Sequence, residues 1–449
     1  MSLPRYEEYK DSGVAWLGSV PARWNVSRLK EVIRSIESGV SVNATDAPAA
    51  EGAIGVLKTS CVYDGTFRFA ENKAVVEEDL ARVSCPVTEG TLIVSRMNTP
   101  ALVGAAGLVT QSHPNIYLPD RLWQVSLKNS SPGFVHYWTL SGEYRAQVEV
   151  ACSGTSSSMQ NLGQDQFKNF QIALPAEEEQ QIIATFLDRE TAKIDALIVE
   201  QEKLLVLLAE KRQATISHAV TRGLNPNASM KDSGISWLGD VPTHWDIKRL
   251  KFIATVQTGI AKGKDTSGKE TITVPYLRVA NVQDGHLALD DVATIDIEPE
   301  QLERYLLGKG DVLMNEGGDF DKLGRGALWD GQIENCIHQN HVFAVRPHGV
   351  SSRWLNQVAG SQYAQFYFMG RSKQSTNLAS ISSTNIMELP VVMPPADEQE
   401  EILQFVEQER AMVDVLMQTA DHAIDLLKER RAAVISAAVT GKIDVRNAA

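Results

Sequence analysis

The chain has 449 residues, enough for about two to four domains, and its 43% hydrophobic and 22% charged residues are those of an ordinary globular protein. No apolar run approaches the ~18 residues of a membrane-spanning helix, residues 1–8 lack the apolar core of a signal peptide, and a cytoplasmic setting is expected. Cys61, Cys85, Cys152 and Cys336 are scattered without a CxxC pair, which argues against structural zinc or a disulfide framework. The net charge of −13 argues at face value against a nucleic-acid ligand. The blocks Glu177-Glu178-Glu179 and Glu398-Gln399-Glu400-Glu401 carry much of that excess, so whole-chain charge does not fix the sign of a local face.

Residues 1–25 contain the motif Lys10-Asp11-Ser12-Gly13-Val14-Ala15-Trp16-Leu17-Gly18-Ser19-Val20-Pro21-Ala22-Arg23-Trp24. It returns as Lys231-Asp232-Ser233-Gly234-Ile235-Ser236-Trp237-Leu238-Gly239-Asp240-Val241-Pro242-Thr243-His244-Trp245, 221 residues on. The copies stay in register afterwards. Asp64-Gly65 matches Asp284-Gly285, Asp120-Arg121-Leu122 reads like Asn340-His341-Val342, and Pro175-Ala176-Glu177-Glu178 matches Pro395-Ala396-Asp397-Glu398. Nearly the whole chain is therefore two copies of one unit. Trp16, Leu17, Trp24 and Trp237, Leu238, Trp245 are expected to be apolar anchors that clamp the start of each copy. Residues 35–55 share almost nothing with 256–272, nor 153–170 with 373–390. Alike scaffolds with unlike loops suit two readers that hold different ligands on one frame.

Residues 26–175 are mixed. Thr91-Leu92-Ile93-Val94 and Leu122-Trp123-Gln124-Val125-Ser126-Leu127 read as strands, with turns at Asp64-Gly65, Ser141-Gly142 and Ser153-Gly154 and a helix from Pro132 to about Glu149. Residues 176–222 change character. Pro and Gly vanish, and Ile182, Ile183, Phe186, Leu187, Ile194, Leu197, Ile198, Leu204, Leu205 and Leu208 make an apolar stripe at helical spacing. Three glutamates in the first turn suit the helix dipole, and Gly223 and Pro226 stop the helix. Residues 223–245 repeat the opening motif, 246–395 the mixed segment with a helix near 352–369, and 396–449 the long helix. Each helix of about 45 residues would reach ~68 Å at 1.5 Å per residue. Antiparallel pairing of the two as a coiled coil is the economical way to cover both stripes; packing of each helix on its own domain is the alternative.

Catalytic chemistry is hard to find. There is no methyltransferase Asn/Asp-Pro-Pro-Tyr/Phe motif, no HExxH, and no nucleophile context around Ser156-Ser157-Ser158. Gly263-Lys264-Asp265-Thr266-Ser267-Gly268-Lys269 approaches a phosphate loop, but Glu270 stands where a Mg²⁺-holding hydroxyl belongs. His338, His341, Asp319 and Asp321 have no diagnostic metal spacing. A non-catalytic protein without cofactor or metal is expected.

The doubled Lys-Asp-Ser-Gly…Trp-Leu-Gly…Val-Pro…Trp block resembles the specificity subunit of type I restriction–modification systems. So do Leu174-Pro175 followed by Ala-Glu-Glu-Glu-Gln-Gln-Ile-Ile, and the Ala-Val-Thr that closes each helix. The resemblance implies an α+β fold, in which two homologous α/β target recognition domains are joined by two long antiparallel helices in a pseudo-two-fold cyclic arrangement. It implies that each domain reads one half of a bipartite asymmetric target in double-stranded DNA. It further implies that the helices set the half-site spacing and dock two methyltransferase subunits, with motor–nuclease subunits joining in the full complex. A two-domain adaptor that assembles proteins without reading DNA is the alternative.

Base readout needs Arg or Lys for guanine and Asn or Gln for adenine, with hydroxyls on phosphates for register. The divergent segments supply these types. In the first copy the candidates are Lys58, Thr59, Arg96, Asn98, Arg121, Ser153, Thr155, Ser156, Gln160 and Asn161. In the second they are Arg278, Asn281, Asn315, Lys322, Arg325, His338, Gln339, Asn340, Arg371, Lys373, Ser375, Thr376 and Asn377. Any one of them taken alone can also be read as a solvated loop residue.

Overall fold

The computed structural model describes residues 4–152, 158–263, 268–318, 320, 323–324, 326–374 and 379–447. Two compact units emerge: residues 1–202 with 422–449, and residues 203–421. The division falls inside both long helices, Glu177–Arg222 and Ala396–Val439, so each unit owns one half of each helix.

In unit 1 the opening motif is a hairpin, Tyr9–Asp11 against Ser19–Pro21. Gly13 and Gly18 lie inside it at φ 73° and 65°, in the left-handed region that suits glycine. Trp24 follows, fully buried, and its indole Nε1 donates to Glu179 Oε1 at 3.1 Å. The Tyr6 hydroxyl donates to the same oxygen at 2.8 Å. The next strand, Asn25–Arg28, pairs antiparallel with Gln171–Leu174, so the two ends of the domain close on each other. Between them an antiparallel sheet runs in the order Ala106–Leu108, Leu92–Ser95, Leu122–Leu127, Ile33–Ser38. Leu92, Val94, Trp123 and Val125 on its inner face meet Phe134, Val135, Trp138 and Tyr144 from two helices, each such burial contributing ~1.5–3 kcal/mol. A second sheet, Asn72–Ala74, Gly55–Leu57, His113–Tyr117, Pro86–Val87, has its own core around Cys61, Val62 and Ile116.

The single helix expected from Pro132 to Glu149 is two helices, Pro132–Thr139 and Gly142–Cys152. The Ser141 hydroxyl accepts from Tyr144 N at 3.3 Å, so the Ser-Gly pair caps a new helix where a simple turn was expected. Along the first long helix Ile183, Leu187 and Ile194 are buried, whereas Ile182 and Leu197, read into the same stripe, are exposed. The stripe is therefore narrower than its sequence. Arg431 meets Asp195 at 2.8 Å, while Gly441, just past the second helix, accepts from Tyr9 beside the start of the first. The two helical segments of unit 1 thus run antiparallel.

Unit 2 rebuilds the same frame. Met230–Asp232 pairs with Asp240–Pro242. Trp245 is fully buried, and Glu398 Oε2 accepts from its indole at 2.9 Å and from His244 Nε2 at 2.8 Å. Gly223 ends the first long helix at φ 72°; a Cβ there would come within 3.2 Å of the Trp245 ring. Asp246–Arg249 pairs with Pro390–Met393, and the main sheet runs Ala254–Thr258, Val342–Pro347, Val312–Asn315, Gly326–Leu328. The second sheet is reduced to Ala293–Ile297, Ile272–Leu277 and Ile337–His338. The helix expected near 352–369 is again two, Ser352–Ala359 and Gln362–Arg371, with Ser361 capping the second. Arg212 meets Asp414 at 3.0 Å, and Gly223 lies against Glu398, so these helix halves are antiparallel as well.

The anchors differ in one respect. Trp237 stacks at 19° on Tyr363 as expected, but Trp16 is 42% exposed and has no ring contact among the described residues. Among the described residues no helix is long and apolar enough to cross a membrane.

Candidate nucleic-acid interface

In unit 1 the ends of two core strands present Arg96, next after Leu92–Ser95, and Arg121, just ahead of Leu122–Leu127. Arg96 N donates to the Arg121 carbonyl at 3.1 Å, and Leu162 N donates to the Arg96 carbonyl at 2.8 Å. From this root springs a short antiparallel ribbon, Met97–Asn98 against Gln160–Asn161, with Gln160 opposite Asn98. Asn98 is buried. Its amide donates to the Tyr63 hydroxyl at 3.1 Å and to Ser95 Oγ at 3.2 Å, and Thr59 Oγ1 lies 2.8 Å from the same Tyr63 hydroxyl. Thr59, Arg96, Asn98, Arg121, Gln160 and Asn161 are thus brought together. Lys58 is spent on Glu71 at 2.9 Å. Neither Arg96 nor Arg121 has an ion-pair partner among the described residues, and Arg96 Nε is buried without an acceptor. Ser153, Thr155 and Ser156 lie outside the described residues.

In unit 2 the same two backbone bonds recur. Glu316 N donates to the His341 carbonyl at 2.9 Å, and Ile381 N to the Glu316 carbonyl at 2.8 Å. The ribbon is Gly317–Gly318 against Ala379–Ser380, extended by Lys373–Gln374. Lys373 and Arg371 are exposed, the Arg371 guanidinium sitting 5.7 Å from the Tyr367 ring centre. Gln339 and Asn340 are half-buried beside His341. Lys322, Arg325, Ser375, Thr376 and Asn377 lie outside the described residues, as do Asp319 and Asp321.

Four candidates of unit 2 make contacts within their own domain. Asn281 is buried, its amide donating to the carbonyls of Ala288 and Asp291, both at 2.9 Å. Buried Asn315 donates to Val282 O at 2.8 Å. His338 is fully buried; its Nδ1 faces Val342 O at 2.6 Å, and burial pushes its pKa below the ordinary imidazole value. Arg278 pairs with Asp291 at 2.9 Å. Each of these four makes bonds within its own domain, while Arg278 Nε, Asn315 Oδ1 and His338 Nε2 are buried without a hydrogen-bond partner among the described residues. Beside the candidates, Tyr63 lies against Asn98 in unit 1, and Glu316, His341 and Ser380 lie at the ribbon and its root in unit 2. The 220-residue offset of the repeat maps Arg96 onto Glu316 and Arg121 onto His341, which was the available signal. Among the described residues no cluster of three or more His, Cys, Asp or Glu side chains is placed to hold a metal ion.

The family model for the type I restriction modification DNA specificity domain matches the chain twice, over residues 21–205 and 242–419. The chain is 25% identical over 325 residues to the EcoKI specificity subunit of Escherichia coli (strain K12), covering 69% of this chain and 65% of that relative. It is 26% identical over 316 residues to the StySPI specificity subunit of Salmonella potsdam, covering 70% and 66%. It thus spans a little under two thirds of the length of these curated relatives. In fold it is similar to the HsdS subunit from Thermoanaerobacter tengcongensis, with a TM-score of 0.52 at 17% identity over 94% of this chain and 98% of that one. With both copies matched across most of its length, the chain belongs to the type I restriction modification DNA specificity domain family.

Proposed function

We propose that this protein is the non-catalytic, sequence-specific DNA-recognition subunit of a cytoplasmic type I restriction–modification complex, each unit reading one half of a bipartite asymmetric target. The observation that carries the reading is the contrast within each unit. A repeated frame of buried tryptophan, glutamate acceptor and antiparallel sheet ends in a short ribbon whose side chains differ completely between the copies. Polar side chains at strand tips and on a ribbon match what a major groove accepts, an element about two strands wide with donors and acceptors at its edge. Arg96, Arg121, Gln160 and Asn161 in unit 1, and Asn340, Arg371, Lys373 and Ser380 in unit 2, are the proposed contacts.

The long helices set the half-site spacing and dock two methyltransferase subunits, the motor–nuclease subunits joining the assembled complex. Supporting this, Leu197, Val199 and Leu426 in unit 1, and Val206, Leu207, Met412 and Val415 in unit 2, are apolar side chains at least half exposed on those helices. Selection from random duplexes by this chain assembled with its methyltransferase subunits tests the reading. A gapped, asymmetric consensus is expected, with binding that weakens steeply as salt rises. An ungapped consensus, or none, would sink it.

A further inference from the structure

We infer that the pair of positions at the ribbon root sets the polarity of base readout, with opposite sign in the two units. Arg96 and Arg121 offer donors to an acceptor edge, guanine O6 and N7, in one half-site. Glu316, held by His341, offers an acceptor to an exocyclic amine, cytosine N4 or adenine N6, in the other. The inference rests on the DNA reading above and deepens it.

The equivalence is structural before it is chemical. In both units the first position donates its N–H to the carbonyl of the second, at 3.1 Å in unit 1 and 2.9 Å in unit 2. In both, the first position's carbonyl accepts from the residue that follows the ribbon's second strand, Leu162 or Ile381, at 2.8 Å. The two pairs therefore leave the core strands at the same place, and only their side chains differ.

Unit 1 puts two guanidiniums there with no carboxylate to neutralise either one among the described residues. Among the described residues no side chain accepts from either guanidinium, so their donors are open to an acceptor from outside. A guanidinium meets guanine's O6 and N7 through two parallel hydrogen bonds. Unit 2 puts a carboxylate there. His341 Nδ1 lies 2.6 Å from Glu316 Oε2, and the Asn340 amide nitrogen lies 3.4 Å from His341 Nε2. The His341 contact engages one carboxylate oxygen and leaves Glu316 presenting an acceptor. Such a group is repelled by phosphate, so if it meets DNA it meets a base edge that carries an amine.

Base selection by the assembled complex, run on the wild type and on R96Q, R121Q, E316Q and the double variant E316R/H341R, tests this. R96Q and R121Q should each cost roughly 5- to 150-fold discrimination for guanine at one base pair of one half-site only. E316Q should relax or shift the preferred base at one pair of the other half-site, and E316R/H341R should move that pair towards guanine. R121Q changes an exposed side chain and keeps the test informative if R96Q fails to fold. A wild-type consensus that all the variants leave unchanged would overturn this inference alone. A uniform loss of affinity on every sequence in R96Q and R121Q, with the salt slope reduced by about one for each, would assign those arginines to phosphate and overturn it too. Absence of any consensus in the wild type would overturn the DNA reading and this inference with it.

Discussion

The base of each unit and its ribbon root obey opposite rules. At the base, Trp24 donates to Glu179 and Trp245 donates to Glu398, two fully buried indoles each on a glutamate at the matching place of its own unit. At the ribbon root the backbone bonds are equally well kept, yet the side chains are two arginines in one unit and a glutamate and a histidine in the other. A buried indole that fills its pocket is expensive to replace, because its loss leaves a cavity and removes a hydrogen bond. A side chain at an exposed strand tip changes at little cost to stability. The frame is thus held by packing, and the tips are left to the ligand.

That comparison can be tested at several levels. The largest effect should come from the frame. Trp24→Ala and Trp245→Ala should each destabilise their own unit by about 3–5 kcal/mol, read by urea unfolding with hydrogen exchange resolved by unit. A loss below about 1 kcal/mol in one unit would show that the two frames are not energetically equivalent. Next comes a difference between the cores. Asp311 is fully buried and accepts from Arg346 Nε and Nη2, both at 2.7 Å, and from Gly308 N. At the matching place unit 1 has Thr91, whose hydroxyl donates to the Thr88 carbonyl. Asp311→Asn should cost about 2–3 kcal/mol, since it leaves Arg346 without its charge partner, whereas Thr91→Val should cost about 1 kcal/mol.

Acid sensitivity should differ as well. Burial holds the His338 imidazole below its ordinary pKa of ~6.5. Below ~6.5 the unfolded chain takes up a proton that the folded unit refuses, so stability falls as pH drops from there towards the folded-state pKa, and nothing is lost above it. His338→Gln should flatten that fall in unit 2 between about pH 7 and 5, seen in the urea midpoint. Unit 1 should keep its own dependence through half-buried His136, whose pKa burial also lowers. An unchanged profile in the variant would remove His338 from the acid response. The smallest effects belong to the helix pairs. Arg212→Ala and Arg431→Ala break ion pairs to Asp414 and Asp195 that are partly open to water, so each should cost no more than about 1 kcal/mol.

The sequence by itself determined the duplication, the presence of the two long helices and where each starts, the strands around Leu92–Val94 and Leu122–Leu127, and the anchoring tryptophans Trp24 and Trp245, whereas the second long helix, read to 449, ends at Val439. These are periodic or repeated signals that survive any packing, because spacing fixes which face of an element is apolar. Only the tertiary structure decided the rest. Ser141 and Ser361 each break an expected helix in two, since a serine reads alike as a turn residue and as a cap until its neighbours are placed. Asn281, Asn315 and His338 have the residue types that read bases, yet each is buried and faces a carbonyl of its own domain. Glu316 and His341 stand opposite Arg96 and Arg121 in the sequence repeat, but their contact with each other at the ribbon root is set by the tertiary structure. Residue type states which bonds a side chain can make. Burial and the nearest carbonyl determine whether those bonds are still available to a ligand.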